Sequence, residues 1–400
     1  MISPQLCIRC KGKLLCGLSY CPILKKYSVQ SSVVSKIRGT EFTGSSPPSI
    51  FVGWHNYPKV SIAPLSAAAL TDSAMLDAPE QWFGMPAERI VSFREQLIRS
   101  NKRLDASTAA DPGRELAEMQ ELVMSAKPTA IDVKLKSKPV PTLSFHESVA
   151  PMGPSAQMIS MVLEENPRVP RKIDYIVSDT DLKSNDALMQ LYGAGFPVST
   201  LYKLLSAGTL GIGKRRKLVP TRWSITATDS NISKNLVEEK IKYFPVLGEF
   251  RLFHSDYLDN DFWVLLVPSK WSFEQLECWL PGGSWAVHAK EPHIIQDHEF
   301  YGGRKQYASN VEGAYYSSRL AVAEYLVRER RQAAALIFRE IGPGYNLPLG
   351  VWQIRENVRN ALKKKPLCFS DFGVVLAYLC LLYTSPSPRD LSTSRMPSSA

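Results

Sequence analysis

The sequence predicts an α+β fold with a mixed core of sheets and helices, and two observations support that prediction. Two stretches, 45–65 and 249–269, alternate apolar and polar residues on both sides of a turn, which is typical of β-hairpins. Helical spacing of apolar residues appears between and after them, at 87–100, 114–126, 186–192, 199–207 and 311–331. We divide the chain into a basic segment at 1–40, a core domain at 41–285 and a smaller domain of helices and strands at 286–379.

The composition argues against an exported or membrane-spanning protein. The apolar fraction is 44%, the charged fraction is 22%, and no apolar run reaches membrane length. Few cysteines lie outside the first 21 residues, which fits a reducing cytoplasm. The net charge of +10 favours a polyanionic partner, so we expect a cytoplasmic, nucleoid-associated protein.

Four of the seven cysteines lie close together at the start of the chain, in the spacing C-x2-C-x5-C-x4-C. Two thiolates separated by two residues can bind one metal ion through a tight turn, and a second pair completes a tetrahedron. The pattern therefore favours a structural zinc ion. An iron–sulfur cluster and free or redox-active thiols are the alternatives. The candidate ligands are Cys7, Cys10, Cys16 and Cys21.

The first 40 residues contain seven basic residues and no acidic residue. That charge suits contact with DNA phosphates, and a solvated basic face without a partner is the alternative. The predicted contacts in this segment are Lys11, Lys13, Lys25 and Lys26.

Two predicted short helices, 186–192 and 199–207, are joined by a glycine turn and followed by the basic run KRRK. This order resembles a helix-turn-helix with a basic wing, although helical hairpins are also common in α+β proteins. Groove reading by the second helix is a further alternative. The predicted DNA contacts here are Lys214, Arg215, Arg216, Lys217 and Arg222. We place Arg222 on a strand beside Trp223, whose burial in the core is the commoner outcome.

Three more helices are expected from periodicity and turn residues. The first begins at Asp229 or Ser230, and the second, SFEQLECWLPGG at 272–283, ends at glycines. The third, at 350–365, carries Arg355 and Arg359 on one face with Glu356 beside them and ends in three lysines.

The YGGRKQY segment holds the best candidate for phosphate binding, because its glycines let the backbone approach a ligand beside Arg304. A glycine turn before a helix is the alternative. The candidate pocket contains His55, Tyr57, Gly302, Gly303, Arg304 and Glu356. The five-residue spacing of His288, His293 and His298 fits neither one helix face nor one strand face, which disfavours a metal site there.

Several motifs in fixed order resemble the archaeal DNA repair protein family Nre. They are the cysteine cluster, FVGWHNYPKVSIAPL, LVPTRWSITATD and YGGRKQYASNVEGAYYSSRLAVAEYL, and the similarity covers nearly all of 1–379. The resemblance implies a larger N-terminal domain with a C4-type zinc finger, a smaller C-terminal domain and a role in repair of DNA damage. The implied zinc ligands are Cys7, Cys10, Cys16 and Cys21. Some members of the family end in a short motif that binds the sliding clamp PCNA.

The last segment, 380–400, resembles a translated sequencing-library adapter, and we interpret it as a non-native tail. A natural disordered tail is the alternative. On the first interpretation the clamp-binding motif cannot be transferred to this chain.

Two functions remain. The first is a non-enzymatic DNA repair factor that contacts DNA through the zinc module and the basic patches. The second is an enzyme that acts on nucleic acid or a nucleotide through the candidate pocket. No Ser-His-Asp spacing, Walker loop or HExxH sequence is present, so no residue is assigned a catalytic role and the sequence favours the first function.

Overall fold

Two six-stranded sheets form the framework of the protein, and helices pack against them. The computed structural model describes residue 10 and residues 12–15, 21–141, 152–283, 289–345 and 348–384. The predicted α+β class is confirmed. Within these ranges, every helix is too short or too polar to cross a membrane.

The first sheet is built from the N-terminal half of the chain. Its strands are β1 (Glu41–Ser46), β2 (Ile50–Val52), β3 (Lys59–Ser66), β4 (Ile98–Asp105), β5 (Thr129–Leu135) and β6 (Ser155–Leu163). Their order is β1-β5-β6-β4-β3-β2, with β4 and β6 parallel and the other neighbours antiparallel. Pairing of β2 with β3 confirms the predicted first hairpin, in which Val60 and Ile62 are buried.

The second sheet uses strands from both sides of the 285/286 division. They are β7 (Phe250–Tyr257), β8 (Asn260–Val267), β9 (Ser272–Trp279), β10 (His293–Glu299), β11 (Ala334–Ile341) and β12 (Leu367–Phe369), in the order β10-β9-β11-β8-β7-β12. β7 and β8 form the second predicted hairpin. Its turn residues Leu258 and Asp259 both have positive φ, which is the geometry that matches the twist of paired strands. Strand β9 precedes the division and pairs with β10, which follows it.

The prediction of a helix at 272–283 is wrong, because Ser272–Trp279 is strand β9 between β10 and β11. Phe273, Gln275 and Glu277 are buried at every second position. Two of these buried side chains are polar, so the alternation of apolar and polar residues that identifies a strand is missing. Glu277 is paired with Arg339 of β11 at 2.8 Å, which accounts for a carboxylate in the core.

The helices lie before, between and after the strands. They are α1 (Pro22–Ser35), α2 (Ala87–Glu95), α3 (Arg114–Met124), α4 (Arg171–Ser178), α5 (Ser184–Gly193), α6 (Val198–Ser206), α7 (Thr221–Glu239), α8 (Gly313–Glu329), α9 (Trp352–Ala361) and α10 (Phe372–Thr384). The helix predicted at 87–100 is shorter than expected, since it ends at Glu95 and the chain continues into β4. The other helix predictions up to 207 and at 311–331 and 350–365 are confirmed within a few residues.

Helix α7 differs most from the prediction. It begins at Thr221, so Arg222 and Trp223 lie in its first turn rather than on a strand, and Asp229 lies in its middle. Its buried face includes Ser224, Thr228, Asp229 and Ser233 beside the apolar Ile232 and Leu236. Because small polar residues occupy most of the buried positions, the apolar periodicity that marks a helix is weak in its first half.

A buried ion pair joins α7 to α9. Nε and Nη2 of Arg355 donate to the two carboxylate oxygens of Asp229 at 3.1 and 2.6 Å, and both side chains are at most 1% exposed. One turn further along α9, Arg359 donates to both carboxylate oxygens of Glu324 on α8 at 2.8 and 2.6 Å. One buried and one half-buried charge pair therefore tie the three helices together.

A second buried carboxylate anchors the loop before α2. Asp77 accepts hydrogen bonds from Ser49 and Arg94 and forms an ion pair with Lys203 of α6 at 2.8 Å. Burial alone would raise the pKa of this carboxyl group, but the two cations and the hydrogen bonds outweigh it and lower the pKa to about 2.

We expect removal of one partner of the α7–α9 pair to destabilise the protein strongly. Asp229→Ala leaves the Arg355 guanidinium buried without its counter-charge, which should lower the free energy of unfolding by about 3–5 kcal/mol. Urea denaturation followed by circular dichroism measures the change. The double variant Asp229→Leu/Arg355→Met is the control and should lose much less, because no uncompensated charge remains. A loss below about 0.5 kcal/mol for Asp229→Ala would contradict this role.

The lowered pKa of Asp77 predicts a loss of stability in acid. Its folded pKa lies below the ordinary value of 3.8, so the stabilising contribution is complete above that value and is lost as the pH falls toward 2. The contribution of the Asp77 carboxylate to the free energy of unfolding amounts to about 2 kcal/mol at neutral pH. Denaturation between pH 6 and pH 2 should show the stability gap between the native protein and Asp77→Asn shrinking by about that amount. A gap that is constant with pH would refute this assignment.

Candidate nucleic-acid interface

Two of the four clustered cysteines lie in the described part of the chain. Cys10 is buried, and its Sγ accepts a hydrogen bond from the N–H of Leu15 at 3.3 Å. Burial by itself raises the pKa of the Cys10 thiol, but the backbone N–H groups of Leu15 and its neighbours outweigh it and lower the pKa. Such N–H···S contacts stabilise a thiolate, which is the form of cysteine that binds metal. Cys21 is half-buried and precedes α1.

Cys7 and Cys16 lie outside the described residues. Among the residues described, no group of three or more His, Cys, Asp or Glu side chains surrounds a common point. The surroundings of Cys10 fit a metal ligand, and the four-cysteine zinc site stays a prediction.

The predicted DNA contacts of the N-terminal segment differ in exposure. Lys13 and Lys25 are exposed, whereas Lys26 is half-buried near Glu95. Burial lowers the pKa of Lys26, and the Glu95 carboxylate only partly offsets this effect. Lys26 is therefore less available to a phosphate than Lys13 or Lys25. Lys11 lies outside the described residues.

The KRRK run lies on a turn after α6. Lys214, Arg215 and Lys217 are exposed, but the Arg216 guanidinium donates to the backbone oxygens of Val177 at 2.6 Å and Gly211 at 2.9 Å. Arg216 thus fixes the turn, and three of the four side chains point to solvent. Groove reading by the second predicted helix is excluded, because α6 is buried along its length, including Leu201 and Leu204.

The tip of the first hairpin adjoins this turn. The N–H of Ala106 donates to the oxygen of Pro58, and the oxygen of Ala106 accepts from the N–H of Leu218, both at 2.8 Å. The positive charges of Lys59 and Lys217 both interact with the carboxyl group of Asp105. Hydrogen bonds from Ser107 are the main cause of its lowered pKa, and the two lysines contribute to it. The hairpin tip and the basic run therefore form one continuous surface.

The first turn of α7 extends the same surface. The N–H of Val52 donates to Oγ1 of Thr221 at 2.9 Å, which fixes the start of α7 beside the hairpin. The rings of Tyr57 and Trp223 lie 5.1 Å apart, and both are exposed. We call this surface the basic–aromatic face. It consists of Trp54, His55, Tyr57, Lys59, Lys214, Arg215, Lys217, Arg222 and Trp223.

The structure separates the six residues of the candidate phosphate pocket. His55 and Tyr57 lie on the basic–aromatic face, whereas Glu356 is buried on α9 and pairs with Arg359 at 2.7 Å. Burial raises the pKa of Glu356, and the nearby Arg359 and Arg355 oppose that effect. No contact among the described residues joins Glu356 to the other five, so the pocket is not assembled as predicted.

Arg304 is occupied by its own loop. Its guanidinium donates to Asp297 at 2.9 Å and to the oxygen of His298 at 2.7 Å, and it lies over the Tyr315 ring. Gly303 has φ +73°, and its N–H closes the turn that begins at Phe300; Gly302 next to it is exposed. The alternative of a glycine turn before a helix therefore describes this segment better than a phosphate site.

The three histidines do not form a described site. His293 and His298 are exposed on β10, and their odd spacing places them on opposite faces of that strand. His288 lies outside the described residues.

Sequence reasoning missed Trp54 and Lys59. Both belong to the turn WHNYPK, in which aromatic and basic residues occur close together. That pattern was a usable signal for nucleic-acid contact. The approach of Trp223 to Tyr57 was not predictable, because it depends on the helical start of α7.

Comparison with known families matches two models along the chain. Residues 15–286 match the N-terminal model of archaeal Nre, and residues 299–399 match the C-terminal model. Of the four clustered cysteines, Cys16 and Cys21 fall within the first match. No solved structure matches the chain.

Curated relatives match over most of their length. The DNA repair protein NreB of Archaeoglobus fulgidus is 40% identical over 93% of this chain and 92% of its own. The DNA repair protein NreA of the same organism is 40% identical over 92% of both chains. The DNA repair protein NreA of Haloferax volcanii is 35% identical over 84% of this chain and 82% of its own. The chain therefore belongs to the archaeal Nre family.

Proposed function

We propose that this chain acts in DNA repair and binds DNA through the basic–aromatic face together with the basic N-terminal segment. The role in repair rests on the relatives. They are named DNA repair proteins, and their similarity covers 84–93% of this chain. The contact with DNA rests on one observation: exposed cations from three separate segments adjoin exposed aromatic rings on one surface.

The charge of this face suits a phosphate backbone. Lysine and arginine side chains displace the counterions of DNA, and the gain in entropy supports binding without regard to sequence. Five cations belong to the face: Lys59, Lys214, Arg215, Lys217 and Arg222. The carboxylates of Asp105 and Glu312 contact it and leave an excess of positive charge.

The enzymatic alternative has less support. It depended on a pocket that joined Arg304 to Glu356, and these two side chains have separate partners. The aromatic residues of that pocket, His55 and Tyr57, belong instead to the proposed DNA surface.

The zinc module is the second part of the proposal. Cys7, Cys10, Cys16 and Cys21 would hold one ion with all four positions filled by protein, so the ion would stabilise the fold of the segment. The folded segment would then present Lys13 and Lys25 to DNA. PCNA binding and nucleoid association remain predictions that the described residues do not test.

Charge reversal on the basic–aromatic face should weaken DNA binding and flatten its salt dependence. We expect Lys214→Glu/Arg215→Glu/Lys217→Glu to reduce the slope of log affinity against log salt by about 2–3 for duplex DNA. Fluorescence anisotropy at salt concentrations from about 50 to about 300 mM measures the slope.

The matched control reverses the exposed run Lys363, Lys364 and Lys365 after α9, which changes the net charge equally. The control should keep most of the native slope. Equal slopes for both triple variants would show that only the net charge matters, and an unchanged slope in the first would remove the face from the proposal.

The purified protein should contain about one zinc ion per chain. Cys10→Ser should abolish most of that content, because a hydroxyl group is a poor replacement for a thiolate ligand. Cys368→Ser is the control, since Cys368 is exposed on β12, and it should keep the zinc. Iron in place of zinc, or zinc retained by Cys10→Ser, would overturn the assignment.

A further inference from the structure

We propose that the aromatic part of the basic–aromatic face stacks against unpaired bases, so that single-stranded DNA is its preferred ligand. This inference rests on the proposed function and adds the form of DNA that is bound. It concerns Trp54, His55, Tyr57 and Trp223, which we call the aromatic ledge.

The ledge exposes more ring surface than folding requires. Trp54, Tyr57 and Trp223 are 45%, 42% and 44% exposed, although tryptophan is highly buried on average in folded proteins and tyrosine is intermediate. Exposed apolar surface concentrated at one place marks an interaction site. The surrounding cations make a nucleic acid a better occupant than an apolar protein surface.

The four rings of the ledge form two pairs, and Tyr57 of the second pair follows closely after Trp54 and His55 in the chain. Trp54 and His55 are stacked, with ring centroids 4.3 Å apart and an angle of 25° between planes. Tyr57 and Trp223 are tilted, with centroids 5.1 Å apart. Each pair leaves ring area open to solvent, and such area is the platform on which a base stacks.

The backbone holds the ledge in position. The N–H of Lys59 donates to the oxygen of Asn56 at 2.9 Å, and the N–H of Gly53 donates to the oxygen of Ser61 at 2.8 Å. Asn56 lies in the left-handed region at φ +65°, which asparagine tolerates better than most residues. The tip is also bonded to Ala106, so little ordering is required on binding.

Stacking distinguishes the forms of DNA. In a duplex the base faces are covered by neighbouring bases, and side-chain rings reach them only after a base leaves the stack. In a single strand the faces are free, and each stacked base contributes about 1–3 kcal/mol. The cations contact phosphates, which a duplex and a single strand both present. The preference for single-stranded DNA therefore comes from the ledge.

The test compares an oligothymidylate of about 20 nucleotides with a duplex of equal length, using the full chain and anisotropy at constant salt. The native protein should bind the single strand at least about tenfold more tightly. Trp223→Ala and Tyr57→Ala should each weaken single-strand binding by about 10-fold and duplex binding by less than about threefold. An oligomer of abasic sites should bind the native protein at least as weakly as oligothymidylate binds Trp223→Ala, because it loses stacking on every ring of the ledge.

Two further variants control for folding and for general aromatic loss. Trp223→Phe keeps a ring and should keep most of the single-strand affinity. Tyr243→Ala removes an 80% exposed ring from a turn after α7 and should change neither affinity. Circular dichroism should show the same fold for all variants.

Several results would overturn the inference: equal or tighter binding of the duplex, tighter binding of a single-stranded RNA, or no effect of the ring variants. Failure of the proposed function can be told apart from failure of this inference. In that case the Lys214/Arg215/Lys217 reversal would leave the affinity for both forms of DNA unchanged. If that reversal weakens both forms while the ring variants do nothing, the face binds phosphates and only the ledge inference fails.

Discussion

The position of helix α7 determines how the two sheets and the proposed DNA surface relate to one another. Its middle is held by the buried Asp229–Arg355 pair, and its Ser233 accepts a hydrogen bond from Arg319 of α8 at 2.8 Å. Its first turn contacts the first sheet through Thr221 and carries Arg222 and Trp223. A buried pair costs desolvation, so its value lies in fixing one arrangement rather than in net stability. Here that arrangement places Trp223 against Tyr57.

Several arginines of this chain are used inside the protein, which limits what the net charge says about binding. Arg355, Arg339 and Arg319 are buried and paired with carboxylates, and Arg216 is bound to backbone oxygens. A planar guanidinium with several donors suits such fixed sites, whereas lysine remains mobile and hydrated. Lysine accordingly supplies most of the exposed charge on the basic–aromatic face. The net charge of +10 is therefore a property of the whole chain and does not by itself identify a binding surface.

The sequence predicted those elements whose buried faces are apolar. Both hairpins follow this rule, because apolar residues occupy most of their buried positions, including Val60 and Ile62 in one and Phe253 and Val264 in the other. The prediction failed for β9 and for the start of α7. Glu277 of β9 pairs with Arg339, and Asp229 in the middle of α7 pairs with Arg355. Such pairs contribute no periodicity, since their partners lie far away in the sequence. The basic run was predictable from local sequence, but its contact with the WHNYPK hairpin required the fold.

Core acidic residues that are paired with cations are poor candidates for catalysis. Glu299 is paired with Arg319, Glu277 with Arg339 and Asp77 with Lys203, so each carboxyl group already has a neighbouring cation as its partner. A general acid or base needs a proton that it can exchange with substrate, which these pairs oppose. Arg222 differs, because it and its partner Glu312 are both largely exposed, and such a bridge contributes little stability. In the proposed complex a DNA phosphate would replace the Glu312 carboxylate at small cost, and Arg222 would then hold the backbone beside the neighbouring ring of Trp223.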